Sequence, residues 1–539
     1  MNRIKVLVKD INASLNVGED DIFITAKKKI QKSGLNIKPL SCEVYKKSVD
    51  ARKKNDIKLV YSICVECECT NGFDTELLKS YSFSLIKDDQ VDLRFGDAEL
   101  AGRPLVVGMG PAGIFCALFL AEHGYRPIVI ERGDDVDKRL AKKEEFYRTH
   151  VLDTESNIQF GAGGAGTFSD GKLVTRVNDP LCNYVLKMMH ELGAPREVLF
   201  KAKPHVGTDK LLSVVKEADK RIRDLGGDIY YRTRLDDIHF DSCGRVVSVT
   251  VNNSESISCG CLVLCLGHSA RDTYYMLCEK DLCMIPKPFS VGVRIEHLRE
   301  DIDRALYGDF AFHSALGPAE YNLSHNTKNR GVYTFCMCPG GEVVAAASEE
   351  NTVVVNGMSN YARDGVNSNC AVAVSVFESD YGSNIRSAIE FQRNLEKTAY
   401  TQGGGGYSVP VTTVGDFFAK NKSGAPTRVK PSYMKGENYR LTDFSSFMPS
   451  FIYESLCDGI ANFDKKIRGF GAPYSILSAF ETRTSAPLRI LRDESRAALG
   501  HDNLYPCGEG AGYAGGITSA ALDGIKTAIT IIGKYRPLA

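Results

Sequence analysis

Apolar and polar residues alternate from the start of the chain, where Ile4, Val6 and Val8 fall on one side of a predicted strand. Ile22, Ala26 and Ile30 then recur at helical spacing, and Gly34 stands where a C-terminal cap belongs. Alternation returns at Ile57, Leu59, Tyr61, Ile63 and Val65, a further strand. Residues 1–96 are therefore expected to form a small α+β module with no chemistry of its own. A different texture begins near Ala101: the apolar run Leu105 to Val107, a helical stretch from Ala112 to His123 ended by Gly124, and a strand from Pro127 to Ile130. Between Pro286 and Tyr439 short alternating strands take over, among them Val291, Val293 and Ile295 on one face. Val332 to Cys338 and Val343 to Ser348 flank Pro339-Gly340-Gly341-Glu342 and read as a hairpin. Ala371 to Phe377 adds a strand, Ile385 to Lys397 an amphipathic helix, and Ser519 to Gly533 a closing helix. The expected organisation is an α/β domain in two parts, 97–285 and 481–539, with a largely antiparallel β domain inserted at 286–480.

The strand Leu105 to Val107 runs directly into Gly108-Met109-Gly110-Pro111-Ala112-Gly113, and a helix follows. A GxGxxG run in this strand–turn–helix–strand context is a dinucleotide fingerprint, and Glu131 closes the second strand about 20 residues on, as the motif requires. Gly108 allows the tight turn, Gly110 lets backbone approach a pyrophosphate, and Gly113 lets helix and strand pack closely. The helix N-terminus, with Pro111 and Ala112, offers unpaired N–H groups to the phosphate charge. Glu131 can accept from a ribose 2′-hydroxyl and would repel a 2′-phosphate. The fingerprint does not separate FAD from NAD.

Further runs carry a resemblance. Glu131-Arg132-Gly133, Gly227-Asp228-Ile229 with Thr233-Arg234-Leu235, Leu262 to Gly267, and Asn503-Leu504-Tyr505-Pro506-Cys507-Gly508-Glu509 are similar, in order, to motifs of the glutathione-reductase-like flavoprotein superfamily. That resemblance implies a Rossmann-like FAD-binding domain. Arg132 would sit at the strand end, Leu235 near the adenine and Gly267 at the return to the cofactor. Gly508 and Glu509 belong to the motif whose acidic residue holds the ribityl chain; glutamate stands here where aspartate is commoner. Gly515-Gly516-Ile517 opens the last helix, whose positive end would face the flavin pyrimidine.

Longer runs, Phe160 to Leu173, Gly267-His268-Ser269-Ala270-Arg271-Asp272, Phe335 to Gly341, Glu481 to Pro487 and Gly508 to Ala520, resemble a bacterial family of FAD-dependent dehydrogenases, also described as NAD(P)/FAD-dependent oxidoreductases. The resemblance extends to Ser48-Val49-Asp50-Ala51-Arg52-Lys53-Lys54 in the first module. It names a cofactor and no substrate. The glycine-rich run is expected to wrap the flavin: Gly163, Gly164 and Gly171 permit close backbone approach, while Thr167, Ser169 and Asp170 offer hydrogen bonds. His268 and Cys336 are weak catalytic candidates by position. Arg483 is another, and with Arg489 and Arg492 it could meet an anionic substrate or a nicotinamide phosphate.

Other motifs carry less. Cys278 and Cys283 have the spacing of a flavin disulfide reductase but lie far downstream of the first βαβ unit. Cys64, Cys67 and Cys69 lie on both faces of one strand with no second ligand pair, so no metal is expected. Gly403 to Gly406 has no Lys-Ser/Thr after it and is not a phosphate loop.

Composition fits an enzyme of small molecules. The 539 residues carry 67 basic and 67 acidic side chains, so nothing attracts nucleic acid globally. No apolar run reaches the length of a membrane helix. Seventeen cysteines without a secretory signal point to reduced thiols and a cytoplasmic location. The expectation is an FAD-dependent oxidoreductase passing hydride through flavin N5 to or from a small molecule. No second strand–GxGxxG–helix unit is recognised, so a dedicated NAD(P)H domain is not expected, and reduction would come from transient NAD(P)H docking, another donor or the substrate itself. The alternatives are a flavin-dependent RNA-modifying enzyme, which the charge balance disfavours, and a flavin-bearing sensor without turnover.

Overall fold

The computed structural model describes residues 3–69, 75–86, 93–421 and 424–538. Its first part is an antiparallel sheet of the strands Arg3–Ala13, Ile37–Asp50, Lys58–Cys69 and Phe83–Leu85. The helix Glu19–Lys32 buries Ile22, Ala26 and Ile30. The strand Ile37–Asp50 escapes the sequence pattern because its pairing shifts register between Pro39 and Ser41 and between Val44 and Lys46, which breaks the two-residue period. This module is not free-standing: Val6, Ile63 and Val65 share one continuous core with Val291 and Val372 of the inserted sheet.

Five short strands form a parallel sheet in the order Leu504–Pro506, Cys261–Leu264, Pro104–Val107, Ile128–Ile130, Asp228–Tyr230. Every residue of the central strand Pro104–Val107 is buried, as expected of a sheet covered on both faces. The helices Pro111–Glu122 and Ile517–Lys534 meet backbone to backbone, for a Cβ on Gly524 would stand 2.2 Å from the Ala112 carbonyl oxygen. Beside the parallel sheet lies a three-stranded antiparallel sheet, Leu235–Phe240, Val246–Val251 and Glu255–Ser258. The carboxyl ends of four parallel strands deliver Gly108, Glu131, Cys265 and Cys507 to one edge, where open α/β sheets bind ligands.

Between the fourth and fifth strands of that sheet, counted along the chain, a seven-stranded sheet is built from residues 289–481, antiparallel except at the pair Val409–Thr413 and Tyr439–Leu441. The expected hairpin around Pro339 does not form. Gly331–Cys338 pairs with Asn367–Val376, whereas Glu342–Ala345 pairs with Val355–Met358 in a separate ribbon. The cause is local. Cys336 adopts φ 48° within a register shift between Phe335 and Cys338, and Gly340 at φ 52° packs against the Arg363 carbonyl, so the chain leaves the sheet instead of folding back on it. The glycines at 403–406 end the helix Ile385–Gly403 and turn it into the next strand, with Gly404 left-handed at the C-cap. Among the described residues no helix is long and apolar enough to cross a membrane.

Candidate functional site

A cavity of about 1150 Å³ joins the strand ends of the parallel sheet to the seven-stranded sheet. The dinucleotide turn, Glu131 and Leu235 wall one end, Glu509 and Gly515 to Ile517 enter from the C-terminal part, and Tyr321, Phe335 and Glu481 close the other end. Its walls explain which glycines serve packing and which serve a ligand. A Cβ on Gly108 or Gly113 would stand 2.3 and 1.9 Å from the Cys265 and Gly108 carbonyl oxygens, so both are required by the protein itself. A Cβ on Gly110 would meet only the Gly164 Cα at 3.9 Å, and one on Gly267, Gly515 or Gly516 would meet nothing. All four border the cavity; Gly267 is required by its own left-handed backbone at φ 70°, whereas no neighbour in the chain accounts for the missing side chains of Gly110, Gly515 and Gly516.

Two helices begin at this wall. The helix from Pro111 has Gly110 as N-cap, the helix from Ile517 has Gly516, and neither receives a side-chain cap. Their first N–H groups and dipole ends are thus available to anionic or carbonyl groups of a ligand. Glu509 lines the same cavity, and its carboxyl group has no hydrogen-bond partner among the described residues. Burial pushes its carboxyl up to about 7, partly offset by Lys287.

Glu131 does more than the sequence assigned it. One carboxylate oxygen accepts the N–H groups of Gly133 and Gly161 at 2.9 Å each, and the other accepts that of Met109 at 2.8 Å. One lone pair is left for a ribose hydroxyl. The glycine-rich loop has a second anchor that no local sequence pattern announces. Arg139, 1% exposed, donates to the carbonyls of Asn157, Ile158, Gly161, Ala162 and Gly164 and lies over the Phe168 ring. Burial lowers its guanidinium to about 10. Asp523, equally unforeseen, accepts the Gly508 N–H at 2.8 Å while pairing with Arg492 and Arg496, which fixes the turn before Glu509.

Of the predicted residues, Gly108, Gly110, Pro111, Ala112, Glu131, Arg132, Gly164, Ser169, Asp170, Gly171, Leu235, Gly267, His268, Glu509, Gly515, Gly516 and Ile517 border the cavity. Gly113 and Gly508 lie behind the wall, the latter against Ala112. Gly163 and Thr167 require correction. A Cβ on Gly163 would collide with Thr167 and Val215, and the Thr167 hydroxyl donates to the Ala162 carbonyl at 3.3 Å, so both face the helix beneath the loop. The Arg132 guanidinium is held by Glu155 and Asp272 and lies over Phe160.

Two of the three candidate arginines are committed to carboxylates of the protein. Arg483 donates to Glu396 at 3.1 and 3.0 Å inside a buried cluster that also holds Arg271 and Thr482. Arg492 is paired with Asp523, and Arg489 donates to the Gly512 carbonyl. His268 shares a hydrogen bond with Ser269 at 2.9 Å, and burial pushes its imidazole down to about 3, so it stays neutral. Cys336 reaches the cavity, but burial raises its thiol pKa above the ordinary value. Cys278 and Cys283 lie away from the cavity wall. Asp170 is buried; desolvation opposes its ionisation, but Lys172 and Arg363 more than offset that and hold it well below the carboxylate range.

Comparison with known proteins adds identity to this geometry. The family model described as FAD-dependent protein, C-terminal domain-like, matches residues 288–484. A protein of Clostridium beijerinckii, described only as uncharacterised, is 46% identical over 535 residues, which span 98% of this chain and 99% of that one. Among solved structures, CtdE in complex with FAD is 12% identical, with 80% of this chain and 84% of that one covered at a TM-score of 0.31. A geranylgeranyl bacteriochlorophyll reductase-like protein from Thermoplasma acidophilum is 10% identical, with 80% and 78% covered at 0.34. Scores this low do not establish a shared arrangement. The matched domain and the donor set of the cavity agree on one cofactor, FAD: uncapped helix N-termini suit its phosphates and pyrimidine carbonyl, open glycines its close approach, and free carboxylate positions its hydroxyls.

Proposed function

The chain belongs to one family with that clostridial protein, and from this premise we propose that it is an FAD-dependent oxidoreductase of the glutathione-reductase-like kind. The observation that carries the reading is the single cavity running from the dinucleotide turn to the aromatic wall of the inserted sheet, long enough for an extended dinucleotide and a substrate beyond it. Residues 97–285 and 481–539 would form its Rossmann-like cofactor domain, 286–480 the substrate domain, and 1–96 an accessory module that braces the latter.

In this reading the N-terminus of the Pro111 helix and the Gly110 backbone hold the pyrophosphate. Glu131 gives its remaining lone pair to the adenosine ribose, and Leu235 lies against the adenine. Glu509 accepts from the ribityl chain through a carboxylate that needs no other partner. The Gly516–Ile517 helix end faces the flavin pyrimidine. Bound FAD would supply two-electron chemistry at N5. The protein's part is to bind, orient and exclude water: Asp170 and Lys172 form an ion pair at 2.6 Å on the cavity wall, while Arg139 and Glu131 keep the loop above it closed.

Anaerobic mixing of the holoprotein with NADH or NADPH tests the oxidoreductase reading. Bleaching of the flavin absorbance identifies the donor and supports turnover. A flavin that no nicotinamide or candidate substrate reduces would favour the sensor reading instead.

A further inference from the structure

Resting on the flavoprotein reading, we infer that Glu481 selects the substrate: its free carboxylate oxygen receives a hydroxyl or amine donor carried on an aromatic body. Glu481 ends the strand Ile476–Glu481 opposite Gly292, is 3% exposed and lies on the cavity wall. One oxygen, Oε2, accepts from Arg294 at 2.8 Å. Oε1 has no partner among the described residues, yet it is not among the sealed, unsatisfied atoms of the core, so it opens to the cavity.

The carboxylate is held from below by a rigid clamp. Arg294, fully buried, also donates Nε to Asn369 at 2.8 Å and Nη2 to the Cys336 carbonyl at 2.6 Å. The left-handed bulge at Cys336 is what turns that carbonyl toward the guanidinium. Gly357 leaves room for it, since a Cβ there would stand 2.1 Å from Arg294 Nη2. Each donor of the clamp has a fixed acceptor, so the Glu481 side chain has one orientation, with Oε1 outward.

The other charges at this end pair with one another. Both Asp170 oxygens are taken by Ser359, Arg363 and Lys172, and Glu320 by Lys172 and Arg363, with Lys203 at 3.9 Å. The Lys287 ammonium has no hydrogen-bond partner among the described residues, but the charge it influences is Glu509, on the cofactor side. The same cavity is lined by Tyr321, Tyr333, Phe335 and Phe377, and Tyr333 lies within electrostatic reach of Glu481. A neutral aromatic ligand with an O–H or N–H donor satisfies both surfaces. One without a donor leaves the carboxylate oxygen desolvated and unpaired, and a carboxylate ligand would repel it.

Calorimetric titration of the FAD-loaded protein with phenol, anisole and benzoate tests this, since anisole keeps the ring and lacks the donor. The expected result is phenol binding about tenfold or more tighter than either competitor. Glu481→Gln should keep its FAD, melt earlier because the buried Arg294 loses its counter-charge, bind phenol about tenfold more weakly and lose its discrimination against benzoate. Anisole or benzoate binding as tightly as phenol to the wild-type protein would overturn the inference, as would no phenol binding at millimolar concentration or an unchanged phenol affinity in Glu481→Gln. Should that variant fail to fold, the wild-type comparison decides alone. Failure of the flavoprotein reading shows itself separately, as missing flavin absorbance before any probe is added.

Discussion

The Glu131 carboxylate accepts the N–H of Gly161 at 2.9 Å and so ties the end of a parallel strand to a loop 30 residues further along the chain. The residue expected to read a ribose is also a structural clasp, closing the cavity from the side of the second strand. Replacing it with glutamine puts an amide NH2 against backbone donors and loses charge-assisted bonds, at a cost of about 2 kcal/mol. Glu131→Gln should therefore melt earlier even without FAD and retain less cofactor through gel filtration. Loss of FAD with an unchanged apoprotein melting curve would mean that the residue acts on the ribose alone.

Gly110 and Gly113, three residues apart, should fail differently. Gly110→Val meets little of the protein, so the chain should fold with a near-normal melting midpoint and fail to retain FAD. Gly113→Ala drives a Cβ into the Gly108 carbonyl and should reduce soluble yield or lower stability by about 2–3 kcal/mol. Full FAD occupancy in Gly110→Val would refute the assigned pyrophosphate position.

Arg139→Met should strip donors from five loop carbonyls and cost about 3 kcal/mol, with loss of FAD. Arg139→Lys keeps the charge but not the planar fork and should lie between that variant and wild type. Thermal melts with absorbance at the flavin band read both effects.

Glu509 predicts a pH signature. Its folded-state pKa, about 7, stands above the ordinary 4.5, so the unfolded chain gives up this proton first as pH rises. The contribution to stability is fully present below pH 4.5 and is lost by about pH 7, at most about 3 kcal/mol. Denaturant melts of FAD-free protein at several pH values should show this slope, and Glu509→Gln should flatten it. Parallel pH profiles for the two proteins would contradict the burial of Glu509 as an unpartnered carboxylate.

The cofactor turn was legible in the sequence because its parts are contiguous: the apolar run 105–107, the glycines at 108, 110 and 113, and an acid at the next strand end. What the sequence hid were the supports that arrive from a distance. Arg139 looks like any surface helix arginine until the carbonyls of residues 157–164 fold over it, and Asp523 looks like a polar residue in an apolar helix until the turn at Gly508 reaches it. The same limit produced the errors. Arg483 resembled an anion-binding arginine because nothing nearby in the chain announces Glu396, and the Pro339 turn resembled a hairpin because alternation cannot reveal that Cys336 bulges out of the sheet. Residues of the loop at 161–171 look alike in composition, yet Gly163 and Thr167 face inward while Ser169 lines the cavity.

Acid denaturation of the purified protein, followed by chromatographic quantification of the released flavin, addresses the cofactor assignment directly. One FAD per chain is expected from the wild-type protein and essentially none from Gly110→Val prepared in the same way. A folded wild-type protein that releases no flavin and cannot be reconstituted with FAD would contradict the account at its root.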